Sequence, residues 1–320
     1  MITGVIRHFD EAWRELTAEG SGFAMTEIEV RGAPMRVFNS AMPTMRSLWE
    51  LAQLHGDKPY VVFEDESYTY AEIGAQVRAL ANLLRDQHGV GSGDRVAIAM
   101  RNYPEWVVAY WATISTGAAA VGINAWWTTQ ELAYGLGDSR PKVLIADDER
   151  VERVLPILGE LRPSAPLHLI SVRSERELPY DAARWNDVVD PASAGPLPDA
   201  EIDPDDDATI FYTSGTTGFP KGAQITHRGS VHNVLDIAFM TMAGSLAEAK
   251  AVAAGDLPAP PPAGDPLPPA FLAPTPLFHV TANNCILHPC TLVGGKIVFM
   301  HRWDAGRALE LIEREQVTNI

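Results

Sequence analysis

Two helix-capping signals, set among short apolar runs, constrain the fold of this chain more than any other feature. Thr69-x-x-Glu72 and Thr128-x-x-Glu131 have the Thr/Glu spacing of a capping box, which marks where a helix begins. Strand-like apolar runs alternate with the helical patterns from residue 44 to 171. This alternation is typical of a parallel sheet covered by helices. We therefore predict an α/β fold with doubly wound, mostly parallel sheets and flanking helices.

The elements predicted beyond these two helices continue the same pattern. Strands are predicted at 95–100, 119–123, 143–146, 209–212, 271–273, 296–300 and 317–320, and helices at 104–116, after Thr226 to about Met242, and after Asp304. We expect a first α/β lobe at 45–207, an incomplete second lobe at 208–320, and an N-terminal segment, 1–44, that packs on the second lobe. Residues 173–207 read as a solvated connection. The Ala- and Pro-rich stretch 244–269 reads as a flexible insertion.

The composition excludes several classes of protein. Of the 320 residues, 46% are hydrophobic and 21% charged, which is typical of a globular protein with sizeable cores. Two cysteines cannot form a disulfide framework, the N-terminus lacks a signal peptide, and the uncharged stretch 106–130 reads as a buried helix and strand. A cytoplasmic location is therefore expected. The net charge of −16, without any basic stripe, argues against a nucleic-acid partner.

One loop combines hydroxyl groups, glycines and a lysine. Residues 213–222 read Thr-Ser-Gly-Thr-Thr-Gly-Phe-Pro-Lys-Gly after a short apolar strand. Hydroxyls donate hydrogen bonds, glycines let backbone N–H groups approach a ligand, and Lys221 adds a positive charge, so the loop suits a phosphate chain. It is not a P-loop, because Pro220 precedes the lysine and no Ser or Thr follows it, so no helix should start at Lys221. The alternative is a mobile surface loop without function.

Charge around this loop favours an anionic ligand. Residues 208–235 contain no Asp or Glu in a strongly acidic chain, whereas Lys221, Arg228, His227 and His232 all fall within them. Because the net negative charge of the protein would repel a phosphate ligand, such a ligand needs a local region without acidic residues. ATP is the polyanion that we expect here.

With these residues identified, the sequence resembles the adenylate-forming superfamily, in particular its fatty-acyl-CoA synthetases. Residues 212–222 are similar to its phosphate-binding signature, 68–73 to its early Tyr/Glu motif, 117–124 to its strand-and-turn motif, and 276–280 to its substrate-pocket motif. The similarity runs from about residue 45 to the end of the sequence. The proline-rich insertion interrupts it.

The resemblance implies a two-step ligase reaction. A carboxylate attacks the α-phosphorus of ATP to give acyl-AMP and pyrophosphate, and the thiol of CoA then displaces AMP. ATP, Mg²⁺ and CoA are thus the implied cofactors and co-substrates. The family's loop grips the β- and γ-phosphates, which by resemblance assigns this contact to Thr213, Ser214, Gly215, Thr216, Thr217, Gly218 and Lys221.

The resemblance also assigns His279 to the catalytic site. In the family this position lies where the acyl chain enters and the carboxylate meets the α-phosphate; from the residues alone, a satisfied core histidine remains the alternative. Residues 266–303 contain no acidic group to hold a substrate ammonium, so an amino-acid substrate is not expected. The apolar neighbours favour a fatty acid, with aryl and steroid-derived acids open as alternatives.

Two other groups of residues have simpler interpretations. Cys285, His288 and Cys290 match no standard zinc spacing, so packing in the core or pocket is expected, and no metal site is predicted. Trp126 and Trp127 are expected to pack at the start of the following helix, with an adenine-stacking platform as the alternative.

Several family motifs are not found after residue 303. They include the Glu that holds Mg²⁺, the Asp that binds ribose, and a lysine on a mobile C-terminal domain. The expectation is that the chain is an N-terminal fragment that cannot complete adenylation alone, lacking the C-terminal barrel part and lid domain. An acyl-AMP ligase that serves a carrier protein and a non-catalytic nucleotide- or acyl-binding module stay open. Peripheral membrane contact through a lipid substrate and a homodimer also stay open.

Overall fold

A computed structural model describes residues 2–161, 167–179, 181–213, 218–261 and 265–320, with only the backbone described at 2–5. Its helices are α1 (Ile2–Leu16), α2 (Met45–Ala52), α3 (Tyr70–His88), α4 (Pro104–Ser115), α5 (Thr129–Ser139), α6 (Asp148–Val154), α7 (Leu158–Leu161), α8 (Trp185–Val188), α9 (His227–Ala253), α10 (Val280–Ala282), α11 (His288–Val293) and α12 (Ala305–Arg314). A π-helical turn, Asn283–Leu287, joins α10 to α11.

The strands form two main sheets and a hairpin. In chain order they are β1 (Met25–Val30), β2 (Ala33–Phe38), β3 (Pro59–Phe63), β4 (Glu66–Thr69), β5 (Arg95–Ala99), β6 (Ala119–Gly122), β7 (Val143–Asp147), β8 (His168–Val172), β9 (Ala183–Arg184), β10 (Asp207–Thr213), β11 (Lys221–Thr226), β12 (Ala270–Ala273) and β13 (Lys296–Phe299). The large sheet has the order β11-β10-β6-β5-β7-β8-β9 and the small sheet the order β12-β13-β3-β4. Both are parallel except at β11 and β4, so the predicted α/β fold class is confirmed.

Local sequence signals place the helix ends as predicted. Thr69 and Thr128 each form a complete capping box with the glutamate three residues later. Gly89 ends α3 in the left-handed conformation, at φ 59°, and Pro104 occupies the first turn of α4. These signals act within one turn of helix, so tertiary contacts do not override them.

The core has layers on both sides of the large sheet. Side chains of β5 alternate between two apolar clusters: Val96 and Ile98 face a layer with α3 and α4, whereas Ala97 and Ala99 face α5 and α6. Helix α4 is buried almost throughout its length because it lies between the two sheets. The outer face of the small sheet is covered by Ala308 and Leu311 of α12.

The sheets do not follow the predicted lobe boundary at residue 207. Strands β10 and β11, after that boundary, extend the large sheet through the parallel pair β10 and β6. Strands β3 and β4, before it, belong to the small sheet through the parallel pair β3 and β13. Each sheet therefore combines strands from both predicted segments. The N-terminal helix α1 lies along α9, where Trp13 meets Phe239 edge to face with centroids 4.6 Å apart.

The predicted insertion at 244–269 is wrong in its first part. Helix α9 does not end near Met242 but continues to Ala253. Its added turns are rich in alanine, a strong helix former, and the buried Ala243, Ala247 and Ala251 recur at four-residue spacing along one face of α9. The prolines that cannot continue a helix begin only at Pro258. Residues 254–261 and 265–269 contain neither helix nor strand.

Two further expectations need correction. The strand predicted at 317–320 is reduced to a single bridge between Asn319 and Phe271, because pairing does not continue into a ladder. The stretch 173–207 is not wholly a solvated connection, since β9 extends the large sheet and Trp185 of α8 is 5% exposed. A single tryptophan without periodic neighbours gives little signal in the sequence.

Candidate active site

The two stems of the predicted phosphate loop are adjacent strands of the large sheet. Thr213 ends β10 and Lys221 begins β11, and the two residues are directly paired in the antiparallel register. The Thr213 hydroxyl donates a hydrogen bond to the Lys221 carbonyl over 3.3 Å. Lys221 therefore opens a strand, as expected from Pro220, and not a helix. Ser214, Gly215, Thr216 and Thr217 lie outside the described residues.

Lys221 differs from the other cationic residues of the acid-free stretch. Arg228 is held by the Asp205 carboxylate at 2.7 and 3.0 Å. His227 is fully buried, and its Nδ1 accepts from the Met45 N–H, while His232 donates to the Arg228 carbonyl. Lys221 is exposed, and no carboxylate of the described residues lies within ion-pair distance. Of the four basic residues in the acid-free stretch, all of which the structure describes, Lys221 is thus the one cation that is available to bind an anionic ligand.

His279 lies at the edge of an apolar cavity next to the Thr213 stem. This cavity has a volume of about 330 Å³ and is lined by Gly122, Asn124, Phe211, Tyr212, Thr213, Ala223, Ile225, Phe278, His279 and Val280. His279 is exposed, which excludes a satisfied core histidine. Its Nδ1 accepts from the Thr281 N–H at 3.3 Å and caps α10. In the neutral ring, this leaves the proton on Nε2.

The segment that carries His279 is held by an asparagine that the sequence analysis missed. The Asn102 side-chain oxygen accepts from the Leu277 N–H at 2.8 Å, and its amide donates to the Thr275 carbonyl at 3.0 Å. Asn102 follows β5, so the carboxyl edge of the sheet positions the substrate-pocket motif. Its place just beyond a buried strand was the only signal available, since its partners are more than 170 residues away.

A second cleft lies on the other side of Phe278 and is basic. It has a volume of about 370 Å³ and is lined by Arg101, Asn102, Trp126, Pro274, Thr275, Pro276, Phe278, Met300, His301, Arg302 and Trp303. Arg101 lies 5.0 Å above the Trp126 ring, and burial, aided by nearby Arg150, lowers its pKa. Trp126 is half-exposed and meets Phe278 edge to face. Trp127, as expected, packs on the next helix, beside Gly135.

The group formed by Cys285, His288 and Cys290 is divided between the core and the surface. Cys285 is exposed, whereas Cys290 is buried, and burial raises the pKa of its thiol. His288 is fully buried 2.7 Å from the Tyr110 hydroxyl, and burial lowers its pKa to about 3. Within the described ranges, no three His, Cys, Asp or Glu side chains come together as metal ligands. Nor does any helix there combine the length and apolarity needed to cross a bilayer.

In this α/β protein Thr213, at the end of a strand of the large sheet, lines an apolar cavity, and the ends of such strands are where α/β proteins commonly bind ligands. Comparison with known families defines it further. The chain belongs to the family described as AMP-binding enzyme, whose sequence model matches residues 48–320. This confirms the resemblance to adenylate-forming enzymes.

Individual relatives act on different acids, according to their names. The chain is 30% identical over 258 residues to 4-coumarate–CoA ligase 2 of Oryza sativa, which covers 79% of this chain and 42% of that protein. It is 29% identical over 304 residues to the putative acyl-CoA synthetase YngI of Bacillus subtilis, covering 85% and 49%. The structure of O-succinylbenzoate coenzyme A synthetase from Bacillus subtilis, in complex with AMP, matches with a TM-score of 0.61 and 25% identity, covering 87% and 60%. The chain spans less than half the length of these two curated relatives.

Proposed function

We propose that this protein activates an apolar carboxylic acid with ATP and transfers the acyl group to CoA. The carboxylate oxygen attacks the α-phosphorus, and the bond to the departing pyrophosphate breaks. The CoA thiol, losing its proton, then attacks the acyl carbon, and AMP leaves. The observation that carries the proposal is the pairing of Thr213 with Lys221 beside the apolar cavity that His279 borders.

The proposed loop contacts use the charge of Lys221 and the hydroxyls and N–H groups of the loop. Thr213, Ser214, Gly215, Thr216, Thr217, Gly218 and Lys221 are proposed to hold the β- and γ-phosphates, as the family resemblance implies. Fixed donors aimed at developing charge lower the barrier of such a transfer. Mg²⁺ is proposed to neutralise the phosphates, but the described residues bring together no ligand set for it, and none is assigned.

His279 is proposed to orient the carboxylate. With Nδ1 accepting from Thr281, the Nε2–H is the donor that the ring offers to the acid. We expect His279→Ala in the complete gene product to lower kcat/KM for the acid about 10-fold to 100-fold, the cost of losing one hydrogen bond to a charged group. His279→Asn, which retains an amide donor, should recover part of the loss. Equal kinetics in all three proteins would remove His279 from the site.

The cavity lining supports an acid without a charged amino group. Among the described residues that line it, there is no carboxylate to hold an ammonium, and its walls are mainly apolar side chains such as Phe211, Ile225 and Val280. A fatty acid is the narrower proposal, and an aryl acid is the alternative that the named relatives raise. The basic cleft beyond Phe278 has the charge that suits the phosphates of CoA, through Arg101 and Arg302.

Acid-dependent ATP–pyrophosphate exchange by the complete gene product tests this function. The panel contains straight-chain fatty acids of increasing length, 4-coumarate, benzoate and apolar amino acids. We expect exchange with at least one apolar acid and none with the amino acids. Exchange with amino acids alone, or with no acid at all, would contradict the proposal.

A further inference from the structure

Helix α5 contacts the Lys221 stem of the phosphate loop through one tyrosine. The Tyr134 ring stacks on Phe219 with centroids 4.6 Å apart and planes at 21°. The Tyr134 hydroxyl donates to the Pro220 carbonyl over 3.1 Å. Both contacts join residues about 85 positions apart, and both fall just before Lys221.

The same helix also holds the other stem. Tyr212, one residue before Thr213, donates to the Asp138 carboxylate at 2.7 Å and lies 3.1 Å from the Gly135 carbonyl. Burial, together with the Asp138 carboxylate, raises the pKa of Tyr212, so the hydroxyl keeps its proton and remains a donor. Helix α5 is therefore a common support for both stems.

The contact with Phe219 is unusual for a packing interaction. Phe219 is 70% exposed, so this ring stabilises the core little. Its neighbour Gly218 has a φ of 121°, a backbone conformation in which glycine is favoured. A ligand that orders a free stem must offset the lost conformational entropy, whereas a stem that is already held binds at lower cost.

We propose that Tyr134 is a positioning residue that holds the Phe219-Pro220 stem and thereby pre-places the Lys221 ammonium for the phosphate chain of ATP. The inference rests on the proposed function, which it deepens. Tyr134 acts through the stem and does not itself touch the nucleotide.

The test compares Tyr134→Phe, Tyr134→Ala and Phe219→Ala with Gln130→Ala, an exposed control on the same helix. Hydrogen exchange of the amides at 218–222 is measured against a reference segment in α3. We expect faster exchange at 218–222 in both alanine variants, a smaller change in Tyr134→Phe, which keeps the stacking, and none in the control. Unchanged exchange at 218–222 in the alanine variants would overturn the inference, whether or not the protein is active.

The kinetic half of the test separates positioning from a merely structural role. In ATP–pyrophosphate exchange by the complete gene product, Tyr134→Ala should raise the KM for ATP about tenfold with little change in kcat, the pattern of lost uniform binding. A KM equal to that of the wild type would overturn the inference even if hydrogen exchange changed. If the wild type showed no ATP–pyrophosphate exchange, that result would count against the proposed function alone. The hydrogen-exchange rates of the amides at 218–222 would then decide whether Tyr134 holds the stem.

Discussion

Lys221 and His279 are exposed, whereas His227, in the same acid-free stretch as Lys221, is fully buried. His227 begins α9, and its Nδ1 accepts from the Met45 N–H at 3.2 Å. Burial lowers its pKa to about 4, with Asp206 opposing this in part. The residue is therefore neutral in the folded protein and serves the structure, not the ligand.

The stability of the folded protein should consequently fall in mild acid. The unfolded chain takes up a proton on His227 near pH ~6.5, whereas the folded chain does so only near pH 4. The stabilisation is complete above the unfolded pKa and is lost as the pH falls from ~6.5 to 4. At pH ~5 this residue alone should lower the free energy of unfolding by about 2 kcal/mol.

Urea unfolding of the wild type and His227→Asn at a series of pH values measures this effect. Asparagine retains an acceptor for the Met45 N–H but does not titrate, so the variant should lose less stability between pH ~7 and ~5. His288 also has a lowered pKa, so the variant keeps some dependence on pH. Parallel curves for the two proteins would contradict the assignment.

Single residues could be proposed for the site where a motif indicated their chemistry. Lys221 and His279 were predicted in this way, because hydroxyl, glycine and imidazole groups occur at a recognisable spacing, and their roles stay predictions. Asn102 and Tyr134 were not found, because their partners Leu277 and Pro220 are distant in the sequence. A local sequence pattern cannot predict a contact between residues so far apart.

At the scale of elements, α5 offers a matched pair of glycines. A Cβ at Gly135 would lie 2.4 Å from the Trp127 ring, whereas a Cβ at Gly137 would meet nothing within 4 Å. Gly135→Ala should therefore lower the free energy of unfolding by about 1–3 kcal/mol through overpacking. Gly137→Ala should raise it by roughly 0.5–1 kcal/mol through helix propensity.

Denaturant unfolding of the two variants checks this prediction, with each as the control for the other. Opposite signs are expected, because the two sites share a helix and differ only in what the added methyl group meets. Destabilisation of equal size in both variants would indicate that α5 tolerates no side chain at either position, contrary to the packing described.

Elements were predictable where their signals are local, and mispredicted where they depend on distant contacts. The capping boxes of α3 and α5 are complete within four residues. The last turns of α9 contain alanines that favour a helix, but their packing against α1, such as the pair of Lys250 with Glu15, joins residues too distant for a local pattern to show. The assignment of β3 to the small sheet depends on β13, more than 200 residues later, so the same alternating pattern fits either sheet.

At the scale of the whole molecule, one arginine links the two sheets. Arg173, just after β8 of the large sheet, binds Glu66 of β4 at 2.7 Å and Glu105 of α4 at 2.8 Å. Burial raises the pKa of Glu105, an effect that Arg173 opposes. The Glu105 carboxylate, with its side chain 14% exposed, depends on this partner.

Removing Arg173 should therefore destabilise the protein more than removing an exposed arginine. We expect Arg173→Met to lower the free energy of unfolding by about 2 kcal/mol, because it leaves a partly buried carboxylate unpaired. Adding Glu105→Gln to the Arg173→Met variant should restore part of the lost free energy of unfolding. Arg85→Met, which breaks the exposed pair with Asp86, is the control and should leave the free energy of unfolding nearly unchanged. Equal losses in the two single variants, measured by urea unfolding, would argue against the link.

In the proposed function, Lys221 is the cation that meets the phosphate chain of ATP. The most direct measurement is acid-dependent ATP–pyrophosphate exchange by the complete gene product, comparing Lys221→Ala with Lys58→Ala, an exposed lysine outside the site. We predict a loss of about 100-fold in the exchange rate for Lys221→Ala, the cost of one electrostatic contact to the transferring phosphates, and none for the control. Equal rates in the two variants would contradict the assignment of the loop as the phosphate-binding element.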